Sequence, residues 1–290
     1  MSSSIGTVVK CSVFGESHGE AIGCVLDGLP AGEPIDMEEI YLQMGRRTPG
    51  FDRTSTPRKE SDTPHILSGM LDGRTTGAPL AVMIKNENVR SKDYGNIMSM
   101  PRPGHADYTA HVRYDGYNDV RGGGHFSGRL TAALVFAGAV CRQILRRRGI
   151  SIGGHVLEIH GVRDLELDPV NVDSKLLEDL ASRRFAVIDK AAEEKMRGEI
   201  EAARKGQDSV GGIIEAAAVG LPAGIGSPMF DGIENRLAAA LFGIPAIKGI
   251  EFGAGFGFAK MRGSEANDPF EFTKGGEVVT TSNNNGGILG

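Results

Sequence analysis

The chain has 290 residues, enough to bury a full core as one large domain or two ordinary ones. Its apolar and charged fractions, 40% and 24%, are those of a globular protein. A net charge of -5 with no tryptophan and few aromatics argues against a general nucleic-acid binder or a stacking surface for single strands. Cys11, Cys24 and Cys141 lack C-x-x-C spacing and read as reduced thiols. The N-terminus has no apolar signal region, and no apolar run approaches the roughly 20 residues of a membrane span, so a cytoplasmic location is expected.

In chain order, "IGTVVKCSVFG" reads as a strand ending at Gly15, and "AIGCVLD" as a second strand before a turn at "GLPAGEP". "DMEEIYLQMGRR" follows as a short helix, with Asp36 as N-cap and Glu39 three residues on in the spacing of a capping box. Residues 48–63 are polar and proline-bearing, hence a loop, and "GAPLAVMIKNE" is a strand. Residues 89–124 form a second long irregular stretch, and two such loops in a compact chain point to function.

The clearest helix is "SGRLTAALVFAGAVCRQILRRRG", with Leu130, Leu134, Ala137, Cys141, Ile144 and Leu145 at helical spacing. Ser127 is placed to cap it and Gly149 to end it, and Arg146, Arg147 and Arg148 read as a solvated last turn. A charged helical region spans 174–205. "SVGGIIEAAAVGLPAG" is strand-like, "DGIENRLAAALFG" helical and "IKGIEFGAGFGF" strand-like again. No repeat or linker interrupts the chain, so one mixed α/β domain over residues 1–290 is expected.

Five segments carry chemistry. "GESHG" fits the G-x-S-x-G elbow of serine hydrolases, but no helix follows it and no acid–histidine signature lies downstream. Ser17 is therefore not expected to be a nucleophile, while His18, in a glycine-bounded turn, stays a candidate. "RPGHADYT" sets Arg102 and His105 in a Pro/Gly loop. His105, Asp107 and His111 have no recognised metal-ligand spacing, so no metal is expected. "RGGGHFSGR" runs glycines into a helix start, an arrangement suited to an anion. Arg46, Arg47, Arg53, Arg58 and Lys59 crowd into fourteen residues. With Arg102, Arg121 and Arg129 they concentrate positive charge in an acidic protein, which implies a small, multiply anionic ligand. "TSNNNGGILG" is amide-rich and Gly-rich, so its backbone and Asn side chains can bind a polar ligand.

Taken in order, "FGESHGEAIGCVLDGLPAG", "RRTPGFDRTSTPRKESD", "RSKDY", "RPGHADYT", "RGGGHFSGRLTA", "DSVGGIIE", "IPAIKGIEFG" and "SNNNGGILG" resemble the chorismate synthases along essentially the whole chain. The resemblance implies an α+β fold, a β-α-β sandwich of antiparallel sheets enclosing helices, assembled as a homotetramer. It implies a lyase of the shikimate pathway that converts 5-enolpyruvylshikimate 3-phosphate to chorismate and phosphate, using reduced FMN (FMNH2), with NADPH as a possible reductant.

By the same resemblance His18 is an acid at the departing phosphate and His105 the proton partner of the flavin. Arg47, Arg53, Arg102 and Arg129 hold substrate anions, Arg47 and Arg53 also matching nicotinamide-nucleotide positions. His125, Phe126, Ser127, Ala246 and Gly290 approach FMN. His125 and Phe126 depart from the commoner "RGGGRSSARET" pattern, and the chain stops at "NNNGGILG", where members continue. A flavin- or phosphate-binding module without turnover is therefore the alternative expectation.

Overall fold

The computed structural model describes residues 3–50, 54–55, 60–87 and 100–290. The chain gathers into two compact units. One is Met1–Arg148 with Ser182–Arg184 and Ile200–Ser209, and the other is Gly149–Ala181, Phe185–Glu199 and Val210–Gly290. Helices combine with strands that pair antiparallel throughout the described sheets, so the chain is α+β.

The first unit holds β1 (Ser4–Ile5), β2 (Lys10–Gly15), β3 (Ala21–Asp27), α1 (Met37–Arg47), β4 (Pro64–Ser68), β5 (Met70–Leu71), β6 (Arg74–Thr75), β7 (Leu80–Lys85), α2 (Asp107–Arg113) and α3 (Thr131–Arg147). Five strands form a sheet in the order β1-β2-β3-β7-β4. Side chains alternate across a strand, so Ile22, Cys24 and Leu26 of β3 bury on one face with Leu80, Val82 and Ile84 of β7. Phe136, Val140 and Ile144 of α3 and Ile40 and Met44 of α1 close that core.

The expected stripe of α3 is buried at Leu130, Ala137 and Ile144, while Leu134, Cys141 and Leu145 are only half-buried and Ala132, Ala133, Phe136 and Val140 take the other core-facing places. The helix is apolar on nearly every side, so periodicity alone places its face poorly. The alanines win because a small side chain lets the helix approach the sheet closely. The run Gly128–Arg147 is long and apolar enough to cross a membrane by length and composition, yet it is largely buried, as a core helix is.

At the start of α1, Asp36 accepts from the Glu38 and Glu39 amides as expected. The capping box does not close. Glu39 turns to Arg146 at 2.7 Å, and buried Gln143 takes its place by accepting from the Asp36 amide and donating to the Asp36 carbonyl. Arg147 and Arg148 each reach Glu33 at 2.7 Å, so the expected solvated turn is a set of ion pairs.

The second unit holds β8 (Ser151–Ile159), β9 (Val162–Arg163), most of α4 (Ser174–Ser182), the first part of α5 (Lys190–Lys205), β10 (Gly212–Val219), α6 (Ile233–Phe242), α7 (Gly263–Ala266), β11 (Phe270–Phe272) and β12 (Val278–Thr280). β8 pairs along its length with β10, and Leu177 and Leu180 of α4 are fully buried.

Two expectations change. The stretch 250–258 is not a strand but leads into a 3-10 helix at Gly255–Lys260. Gly253 and Gly255 take positive φ, and a Cβ on Gly253 would lie 2.0 Å from the Asn284 carbonyl, so the backbone coils against the C-terminal segment. The second long loop also contains α2, which buries only Asp107 and Ala110 and so leaves no periodic signal.

Candidate active site

The catalytic candidates of the first unit meet at the glycines of "RGGGH". The run Arg121–Phe126 is a distorted 3-10 helix in which Gly122, Gly123 and Gly124 have φ of 59°, 87° and 53°. A Cβ on Gly122 would stand 2.1 Å from the His18 ring, and one on Gly123 2.8 Å from Cε1 of His105. The bare backbone thus lies against both histidines at consecutive residues, whose Cα atoms are about 3.8 Å apart. No other residue type fits there, and this contact explains the glycines better than helix capping does.

Ser17 is fully buried. Its hydroxyl lies 3.1 Å from the Gly122 carbonyl and 3.3 Å from that of Arg121, and its amide donates to Gly124. With that one proton committed to the main chain, the oxygen accepts from Nδ1–H of His18 at 3.2 Å. Ser17 therefore orients His18 and is not an exposed nucleophile. His18 itself is 5% exposed.

His105 sits beside Asp107, whose carboxylate lies 2.7 Å from His105 Nδ1 and accepts from Nε and Nη2 of Arg102 at 2.8 and 2.9 Å. The Arg102 side-chain fork holds the Asp107 carboxyl far below the ordinary carboxylate range. Asp119 is held low in the same way by Arg121, with a smaller contribution from His18.

Arg47 and Arg129 share one carboxylate. Arg47, in the last turn of α1, donates to Asp62 Oδ2 at 2.6 Å, and Arg129 donates to Asp62 Oδ1. Arg129 is 5% exposed and also reaches Asn86 Oδ1 at 2.7 Å, the Lys85 carbonyl at 3.0 Å and Glu60 at 3.5 Å. The Asn86 amide group in turn donates to the carbonyls of Glu16 and Gly19, tying the histidine loop to this cation. Arg53, Arg58, Lys59 and the "RSKDY" segment lie outside the described residues.

His125 lies in the same turn but faces β2, its Nδ1 2.8 Å from the Gly15 carbonyl and its Nε2 2.8 Å from the Ser3 hydroxyl. It borders an open hollow with Glu16, Gly19 and Met83. Phe126 is 39% exposed and meets Tyr114 edge to face. Ser127 caps as expected, but it caps the 3-10 turn Gly128–Leu130 and α3 begins only at Thr131. Ser127 accepts from the Arg129 amide, and Thr131 donates to the carbonyls of Gly128 and Arg129.

Ala246 and Gly290 belong to the second unit. Both are exposed with left-handed φ, 70° and 107°, which for an alanine is uncommon and marks a special backbone site. Near the C-terminus, buried Asp268 accepts from the Ser282 hydroxyl, the amides of Asn284 and Asn285, and the Asn285 side chain, at 2.7–2.8 Å.

Burial opposes the Asp268 charge, but these donors outweigh it and hold the carboxyl far below its ordinary range. A depressed folded pKa contributes stability above the unfolded value of about 4, and that contribution is lost as pH falls toward the folded one. Asp268→Ala is expected to loosen this end by about 2 kcal/mol, from the usual worth of hydrogen bonds to a charged group. Amide exchange at Asn284 and Asn285 should then quicken by about 30-fold at pH 7 and by less at pH 3.

Sequence reasoning gathered the arginines and passed over their carboxylates. Glu60, Asp62, Asp107 and Asp119 stand within a few residues of the basic positions, in "RKESD", "RPGHAD" and "NDVR", and that interleaving was the available signal.

The family model described as chorismate synthase matches residues 9–290. A chorismate synthase of Thermococcus kodakarensis is 49% identical over 285 residues, 98% of this chain and 78% of that protein. One of Dehalococcoides mccartyi is 44% identical over 290 residues, covering all of this chain and 78% of that protein. A solved structure described as a crystal structure of chorismate synthase superposes with a TM-score of 0.80 at 30% identity, over 98% of this chain and 79% of the other. With sequence and fold matched over nearly its whole length, the chain belongs to the chorismate synthase family.

Proposed function

We propose that the glycine crossing between His18 and His105 is the catalytic centre at which this chain carries out its family's elimination. As a family member the chain is a lyase of the shikimate pathway, converting 5-enolpyruvylshikimate 3-phosphate to chorismate and phosphate. The observation that carries the placement is the contact of Gly122 and Gly123 with the two imidazoles. A binding module without turnover is not favoured, because the relatives matched over 98% or more of the chain are themselves synthases.

In this reading His18 protonates oxygen on the departing phosphate, with its ring held by Ser17. Arg102 and Arg47, with Arg53, fix the carboxylates and phosphate of the substrate, since guanidinium forks match those anions. Asp62, itself held by Arg129, fixes Arg47, and Arg129 stays a further candidate for phosphate. The residues implied for flavin contact fit such a group. Phe126 offers a partly exposed apolar ring, and His125 borders an open hollow.

Reduced FMN, when bound, supplies transient electron density and a base for the departing proton. His105 would be the residue that holds or gives up a proton beside it. By the family resemblance, Ala246 and Gly290 belong to the proposed set of flavin contacts. NADPH as reductant at Arg47 and Arg53, a homotetrameric assembly, a cytoplasmic location and action of residues 1–290 as one catalytic domain belong to the same proposal.

The test is anaerobic turnover with 5-enolpyruvylshikimate 3-phosphate and chemically reduced FMN, following both products. Chorismate and phosphate should rise in equal amounts. Phosphate without chorismate, or no product from folded protein that has bound flavin, overturns the reading.

A further inference from the structure

We propose that Asp107 is a positioning residue for the elimination, fixing the tautomer of His105 and the plane of Arg102 with a single carboxylate. The inference rests on the roles proposed for His105 and Arg102. Asp107 opens α2, where a carboxylate ordinarily serves the first amides of its own helix. Here it serves the preceding loop. Oδ2 accepts from the Arg102 amide at 2.9 Å and from its Nε at 2.8 Å, while Oδ1 accepts from Nη2 at 2.9 Å and lies in ion-pair contact with His105 Nδ1 at 2.7 Å. Three Arg102 donors and the His105 ring converge on a residue that is 7% exposed, so a rotation of Asp107 would break these contacts together.

Two consequences follow for His105. A carboxylate oxygen 2.7 Å from Nδ1 repels a lone pair there and attracts a proton, so in the proposed tautomer Nδ1 carries the proton and Nε2 is left with the lone pair. The Cε1–Nε2 edge is the one that lies against Gly123, beside the His18 crossing. Arg102 Nη2 stands 3.2 and 3.3 Å from the two ring nitrogens. An in-plane position at equal distances would collide with Cε1, so Nη2 lies over the ring face and takes neither lone pair. Asp107 thereby stacks the guanidinium on the imidazole it orients and leaves Nε2 available for proton transfer.

Asparagine is the informative substitution because it has the same shape with one acceptor and one donor. Arg102 claims the acceptor with its amide and Nε, which turns the Asn amino group toward His105 Nδ1. That nitrogen must then accept, and the ring proton moves to Nε2. Asp107→Asn should lower kcat by about 10²-fold or more, since a misplaced tautomer removes the general base or acid from the transition state. Substrate KM should change by less than tenfold, and Asp107→Glu should recover part of kcat.

Nitrogen-15 spectra of histidine-labelled protein give a readout independent of turnover. His105 in the unaltered protein should show protonated Nδ1 and unprotonated Nε2, and Asp107→Asn should reverse them. Protonated Nε2 in the unaltered protein overturns the proposal even if the variant does not fold. So does an Asp107→Asn variant with unchanged kcat alongside a His105→Gln variant that loses it. If His105→Gln itself turns over normally, the role given to His105 fails, while the tautomer spectrum still decides what Asp107 does.

Discussion

Turnover falls by about 10²–10⁴-fold in His18→Ala and in His105→Ala, with substrate KM changed far less, when each variant is assayed with reduced FMN in excess. That loss corresponds to about 3–5 kcal/mol of transition-state stabilisation, within reach of one positioned proton donor or acceptor. The split between kcat and KM matters because the arginines, not the imidazoles, hold substrate in the proposed arrangement. His18 needs one control. It is buried against Gly122 and Ser17, so alanine opens a cavity and releases the Ser17 hydroxyl from its partner. His18→Gln keeps a polar side chain of similar reach without an imidazole. If it folds as the parent does and loses turnover as alanine does, chemistry is lost; if it restores turnover to within threefold, the acid role of His18 is wrong. His105, more exposed, carries no comparable packing penalty.

The sequence made most of the first unit's scaffold legible, because each element there obeys one strong local rule. β3 alternates, α1 has a capping aspartate, and α3 ends at a glycine that takes a φ of 79°. Where two rules compete, sequence alone chooses poorly. Glu39 had the spacing of a capping box, and a long-range arginine took it. α3 was apolar on too many sides to reveal its face. The stretch 247–258 reads as strand-like, but its backbone at Gly253 is set by contact with Asn284 thirty residues on.

At the site, residue types were legible and pairings were not. His18, His105, Arg47 and Arg102 stand out by chemistry, yet nothing local says that Gly122 meets His18 or that Asp62 sits between Arg47 and Arg129. The crowding of positive charge was read as a demand for an anionic ligand. Part of that demand is met inside the protein by Asp62, Asp107 and Asp119.

That internal neutralisation sets the largest expected loss of stability. Asp62→Ala is expected to destabilise the protein by about 3–5 kcal/mol, the range for leaving a buried charge without its partner. Asp62 is 1% exposed and Arg129 5%, so water cannot replace the lost carboxylate. Glu60, 3.5 Å from Arg129, offers only partial compensation.

Taking Arg129 away as well should cost less than the two single changes summed, because Arg129→Met with Asp62→Ala no longer leaves Arg129 buried without Asp62, even though Arg47 and Glu60 each still lose a partner. Urea unfolding of the single and double variants measures both terms, provided the slope stays unchanged. A single-variant loss under about 1 kcal/mol would place the network in the range of solvated surface ion pairs, contrary to its burial. Substrate affinity supplies the functional half of the same experiment. Arg47 loses its acceptor at 2.6 Å in Asp62→Ala, so a variant still folded at low temperature should bind substrate more weakly through a guanidinium no longer fixed in place.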